Sequence, residues 1–578
     1  MKVKSKFTSR HCCLWSSKAA LIILFWNLII AFGLVSLLDP TIYTSMYVGM
    51  YIDRTGLLII GTLYGFNAFL FLFYPLAGCL ADIRWGRHKT VVNSLCSIMW
   101  TLVLIIVFGG LTVIGHIPVM DSWPDSLNLL QTSASIALFV VFGLPAFFGV
   151  ILLFCSLVAF SANVVQYGMD QLHDAPSDYS VLYIHWYVWT IYVGFLIIRL
   201  PIVYYTSTTF FLFALTPGLA PFLLGITLCI QKYNHRWFLI DTGSRNPYKL
   251  VYQVFKFAKA HTDPIRRSAF TYCEDELPSR LDFGKEKYGG PFRNEDVENV
   301  KAFVGILCVL LTTGPTFIAD IAVHGILPST IEYDYYSGNG TYGSPTFTID
   351  FYSSGCLTPL IIVVVIPLYL FLLRPFIHDY IPGMLKRMGL GMVLFFLSGL
   401  CTLLMGSFSR DCTTAYETDK DNLSCSVVGL LKIDIVHLLI VQDSLNAIGF
   451  MLFNVATFEF ICAQSPHSMK GLLIGTFFAI KGVLQLIGVI AVLTPVTVWC
   501  GSHDEFPICG FIYYLLSIVI LLIGIIAFTI VARRYQYRER DEPDNIYRYA
   551  EDYYANAQDE PNYDYNDYDS INAETIID

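Results

Sequence analysis

The chain is 578 residues long, 55% hydrophobic, 15% aromatic and only 14% charged, with a formal net charge of -9. A soluble domain of that length carries about a quarter charged residues, and apolar runs long enough to span a bilayer recur from end to end, so a soluble globular protein is excluded. The charge points to no particular partner and to no nucleic acid, because much of the acid sits in one tail.

The N-terminus is basic (Lys2, Lys4, Lys6, Arg10). The apolar run after Lys18 is too long for a signal h-region and no small-residue cleavage site follows, so it reads as a first span. Cys12-Cys13 beside it is a weak palmitoylation signal. At about 20 residues per span, hydropathy predicts about twelve helices. The first six fall near 19–38, 57–81, 91–114, 133–164, 182–204 and 210–230. A polar segment, 231–299, follows; the second six fall near 300–326, 355–373, 390–405, 433–461, 472–493 and 511–531. The expected fold is an all-α membrane protein of two six-helix bundles (19–230 and 300–532) joined by a linker, with a site between them at mid-membrane.

Basic residues mark one side. Arg84, Arg87, Lys89, Lys386, Arg387 and Lys470 follow the second, eighth and tenth spans, the linker is rich in Lys and Arg, and the last span ends at Arg533-Arg534. The loops after the third, fifth, seventh and eleventh spans have neither Lys nor Arg. The positive-inside rule therefore puts the N-terminal 1–18, the linker and the tail 533–578 in the cytosol. The sequons at Asn339 and Asn422 fall in loops assigned outside, as do the candidate disulfides Cys412–Cys425 and Cys500–Cys509. The tail beyond Asp541 is acidic and Tyr-rich, without apolar periodicity; it is expected to be a disordered, solvated segment whose tyrosines are candidates for phosphorylation and for recruiting cytosolic partners.

Ionisable residues inside the spans carry the functional signal. A charge in a bilayer helix costs roughly 2.5–3.5 kcal/mol on insertion scales, so it faces a partner or a watery path. Glu459, in FEFICAQSPHSMKGLLIG, is such a residue: either it lines a substrate cavity or it is ion-paired near a helix end. Lys481 lies deeper, in TFFAIKGVLQ. It either binds a substrate carboxylate or neutralises Glu459, Asp443 or Asp320. Arg199, His185 and His437 are weaker candidates, and His324 belongs at the outer end of a span.

Five stretches resemble one family. PLAGCLADIRWGRHKTVV, with Gly78, Asp82, Gly86, Arg87 and Lys89, looks like the turn of major facilitator transporters in its peptide-transporter variant. ANVVQYGMDQL, SRLDFGKEKYGGPFRNEDVENVKAF, LKRMGLGM and FEFICAQSPHSMKG also resemble the proton-dependent oligopeptide transporter (POT) family, the linker especially as in animal peptide/histidine transporters. The chain is identified as a member. The resemblance implies a monomeric alternating-access carrier of small peptides or similar polar solutes, with a proton as coupling ion, no other cofactor, and a plasma or endolysosomal membrane as its place. It matches Glu459 to the acid that binds a peptide amino terminus, and Asp320 to the seventh-helix acid of proton coupling; Asp82 and Arg87 belong to gating.

The departures are as informative. The first-helix Glu-x-x-Glu-Arg of the family is replaced by Leu24, Asn27 and Leu28, and the fourth-helix Lys-Pro by Ser161-Ala162. The second-helix His falls near Gly65, and the fifth-helix Asn-x-Gly-Ser becomes Tyr192-Val193-Gly194-Phe195. Asn27, Ser161 and Asn163 are left as polar candidates for substrate contact, beside Glu459 and Lys481. Ordinary dipeptide uptake therefore competes with two other expectations: a facilitator or exchanger of a different amine or anion, and a scaffold derived from a transporter. No nucleophile–base pair, metal-ligand spacing or phosphate loop suggests an enzyme.

Overall fold

The computed structural model describes residues 17–35, 65–109, 144–172, 177–204, 209–239, 247–261, 279–320, 356–377, 380–418, 435–466, 469–498 and 506–537. Asn339, Asn422, Cys12, Cys13, His324 and the tail lie outside them, as do the side chains of Cys412, Cys425, Cys500, Cys509, Arg199 and His437.

Apolar sequence in a bilayer must satisfy its backbone internally, and the chain does so with helices. In order these are α1 (Lys18–Ile30), α2 (Tyr74–Leu80, inside the apolar span Gly65–Trp85), α3 (Arg87–Leu104), α4 (Leu144–Asp170), α5 (Ser177–Tyr204) and α6 (Thr209–Tyr233). The linker contains α7 (Pro247–Ala260). The second half has α8 (Asn294–Thr312), α9 (Gly314–Asp320), α10 (Leu357–Leu368), α11 (Met384–Thr418), α12 (Ile435–Gln464), α13 (Lys470–Val498) and α14 (Phe506–Arg534). Among the described residues, ten helical stretches are long and apolar enough to cross a membrane and two more, Lys18–Gly33 and Gly218–Tyr233, are shorter.

Several ends differ from the hydropathy pattern. Helix α4 runs past residue 164 to Asp170, because Gln166 and Asp170 are hydrogen-bonded to each other at 2.8 Å and Asp170 accepts from Arg87. Helix α11 starts before residue 390 and continues beyond 405. The seventh span is broken at Thr313, where Pro315 removes a backbone donor and the Thr313 and Thr316 hydroxyls turn back on carbonyls of the preceding turn.

The linker is not merely polar. Leu250, Val251 and Val254 of α7 face Val300 of α8 and Met469 just before α13. Beside it Asp282 pairs with Lys285 at 2.6 Å and with Lys301, while the Ser279 N–H and hydroxyl donate to its other oxygen at 2.8 and 2.7 Å. Burial opposes ionisation of Asp282, but these donors hold its carboxyl well below the usual carboxylate range.

Helices of both halves pack through one continuous apolar core, which includes Trp26, Phe160, Tyr167 and Tyr183 of the first half and Phe453, Phe460 and Phe477 of the second. The halves meet where α2 packs on α13 and α5 packs on α10 and α12. Small residues allow the first contact: a Cβ on Gly78 would stand 2.7 Å from the Gly471 carbonyl oxygen. The second contact is fixed by Trp189, whose indole N–H donates to Val363 O at 3.0 Å.

A candidate site between the two halves

At the end of the bundle that carries the basic loops, α2 turns into α3 at Gly86, whose φ of 77° is open only to glycine-like backbone. The turn sets Asp82 against Arg87, with Nε to Oδ1 at 2.9 Å. Arg87 Nη1 reaches Asp170 of α4 at 2.7 Å. All three side chains are buried or nearly so, which makes each charge dependent on the others. Asp82 also faces the first turn of α13: a Cβ on Gly471 would meet its Oδ2 at 2.6 Å. The amide ends of a helix favour an anion there. The turn thus ties the first half to the second.

Deeper, the interface is aromatic. Phe71 and Tyr74 of the second span lie 5.7 and 4.8 Å, centroid to centroid, from Phe478 of α13. Tyr187 and Tyr192 of α5 meet Phe458 and Phe450 of α12 at 6.0 and 5.4 Å. Lys481 stands among these rings. Its ammonium lies 5.3 Å from the centre of Phe71 and 5.9 Å from that of Phe317 on α9. Asp320, at the end of α9, acts on it electrostatically. Lys481 is eleven residues into α13, so at 1.5 Å per residue it lies about 16 Å from the helix start. It is a cation at mid-depth, touching rings from both halves.

Glu459 takes a different partner. Arg387, near the start of α11, places Nη2 2.8 and 2.9 Å from its two oxygens. The pair sits five residues from the end of α12, about 7 Å in, with side chains 11% and 14% accessible. Of the partners weighed for Lys481 in the sequence, Asp320 is the one close enough to act on it.

Comparison with known proteins gives the family. The family model described as POT family matches residues 102–506. The chain belongs to the POT family. Among curated relatives, solute carrier family 15 member 3 of Mus musculus is 23% identical over 530 residues, covering 86% of each chain. Its Rattus norvegicus counterpart is 23% identical over 542 residues, covering 86% of this chain and 87% of that one. Among solved structures, an auto-inhibited POT family peptide transporter aligns with TM-score 0.56 at 16% identity, over 91% of this chain and 98% of that one. The POT family transporter PepTSo aligns with TM-score 0.57 at 15% identity, over 89% and 98%. The fold is that of these transporters, the major facilitator fold.

In this POT-family chain the other polar candidates are placed less centrally. Asn27 ties two helices together: its Nδ2 donates to Tyr187 O at 3.2 Å and to Thr190 Oγ1 at 2.8 Å, and both lie on α5. Asn163 is fully buried; its Nδ2 donates to Ala159 O one turn back at 2.9 Å, and its Oδ1 has no hydrogen-bond partner. Ser161 is hydrogen-bonded to Tyr74 and so belongs to the aromatic interface. His185 donates to Val181 O at 2.8 Å and stacks on Tyr369, as a core histidine does. Two members of these ion pairs have no site role in the sequence reading. Arg387 sits in a basic doublet that reads as an end marker, and Asp170 lies in ANVVQYGMDQL at the end of the fourth span.

Proposed function

We propose that this chain is an alternating-access carrier of small peptides or peptide-like polar solutes, linked to protons, with both termini in the cytosol. Lys481 carries the reading: a lysine held at mid-depth against rings of both halves, with Asp320 as its carboxylate, is where a charged solute would meet the two bundles at once. A lipid-exposed lysine would gain nothing from that depth. A carboxylate and an ammonium that act on each other in low dielectric can also exchange a proton when a solute changes their charge balance. The Asp82–Arg87–Asp170 cluster and α13 form the cytosolic closure, which must open for release. Two of the similar POT structures support the substrate class: one is described as a peptide transporter, the other as a complex with 5-aminolevulinic acid.

A second reading, a facilitator of a different amine or anion, is favoured by Glu459 being neutralised already by Arg387. Flux into liposomes holding the purified protein separates the two. Small peptides, a simple amine and a simple carboxylate are supplied with and without an inward proton gradient. Peptide flux that rises with the gradient supports the first reading; amine or carboxylate flux indifferent to it supports the second.

A further inference from the structure

Arg387 is nine-tenths buried, yet only part of its guanidinium is engaged. Nη2 alone serves both oxygens of Glu459, at 2.8 and 2.9 Å. Its Nε is buried and has no hydrogen-bond partner. Guanidinium presents its donors as a planar fork, and a carboxylate is best held by two prongs in parallel. Here one prong carries the whole contact and a buried N–H is left unsatisfied, which is the expensive half of a hydrogen bond. The pair is therefore matched in charge but not in hydrogen bonding. A second arginine is near: Arg374 and Arg387 both act electrostatically on Tyr369, as Glu459 does, and on His185, which stacks on Tyr369 at 5.3 Å.

The geometry points to Arg387 as the residue that holds the carboxylate of an amphoteric solute, through Nε and one Nη, while Glu459 is released to hold its ammonium. This rests on the carrier reading above and adds to it a second charge determinant. One internal ion pair is exchanged for two between protein and solute, so net charge is conserved. A solute lacking its carboxylate leaves Arg387 alone, and one lacking its ammonium leaves Glu459 alone; a buried unpaired charge is what rejects each of them.

The test is ligand binding to the purified full chain, with alanyl-alanine, its C-terminal amide and its N-acetyl form as probes. The wild type is expected to bind the free dipeptide at least about tenfold more tightly than either blocked form. Arg387→Gln should bring the dipeptide and its amide to within about twofold while keeping the preference for a free amine. Glu459→Gln should do the converse. Where a single variant leaves a buried charge that prevents folding, Arg387→Gln/Glu459→Gln removes both charges and should lose both preferences. Persistence of the dipeptide-over-amide preference in Arg387→Gln or in the double variant overturns the assignment and leaves the carrier reading standing. Failure of the wild type to bind the dipeptide overturns the carrier reading, and the assignment with it.

Discussion

Lys481 shows at the scale of one side chain why a charge persists in apolar sequence. Its stem is packed in an aromatic interface and its ammonium is balanced by two ring faces and by Asp320. A desolvated cation–π contact is worth about 2 kcal/mol, which offsets much of the insertion cost. Lys481→Met is expected to abolish uptake and, by leaving Asp320 without that cation, to lower stability by about 2 kcal/mol, read from unfolding in detergent. Adding Asp320→Asn should restore most of the stability but not the uptake. Restored uptake in the double variant would make the pair structural. Lys481, Asp320, Glu459, Asp82 and Arg87 were all legible in the sequence because a charge in an apolar run stands out. Asp320 was already among the partners weighed for Lys481, but the partner of Glu459 was not legible, since it lies 72 residues away in a basic doublet at a helix start.

Contact between elements depends on how closely their backbones approach. Helices α2 and α13 touch through Gly78 and Gly471, with no room for a methyl group between them. Gly78→Val should force the two apart and expose the neighbouring Cys79, which is buried and free. Faster alkylation of Cys79 by a thiol reagent checks this; an unchanged rate would mean that the helices yield elsewhere. In the linker, Asp282 has its ionisation held below the unfolded value, so its contribution is present above that value and is lost as pH falls through the folded one. Hydrogen exchange of the 279–301 amides should therefore be flat from about pH 8 to pH 5 once corrected for intrinsic rates, and protection should fall only in stronger acid. Asp282→Asn should weaken protection at neutral pH, by about 2 kcal/mol for the lost charged hydrogen bonds. Hydropathy located the spans but not their ends, because Asp170 of α4 is polar yet held by Arg87, distant in sequence, and by Gln166 one turn back. Helix α7 escaped it for a similar reason: Leu250, Val251, Val254 and Ala258 repeat at helical spacing, but too briefly among lysines to raise a window average.

For the whole molecule, the two halves are joined at the basic end by the Asp82–Arg87–Asp170 cluster against α13, and higher up by aromatic rings around Lys481. A carrier must exchange that closure for one at the opposite end, so the cluster is where opening begins. The overall fold was readable from the sequence because twelve apolar runs and the charge asymmetry of their loops leave few alternatives. The loss of the first-helix acids and arginine was readable too, but not what replaces them, which depends on which helices are neighbours. Whether the chain carries peptides on protons through Lys481 is read from flux across liposomes containing the purified protein, with alanyl-alanine supplied at two external pH values and Lys481→Met as the matched control. Uptake is expected to rise with the inward proton gradient and to disappear in the variant. Wild-type uptake equal to that of protein-free liposomes at both pH values, or uptake that Lys481→Met leaves unchanged, would contradict it.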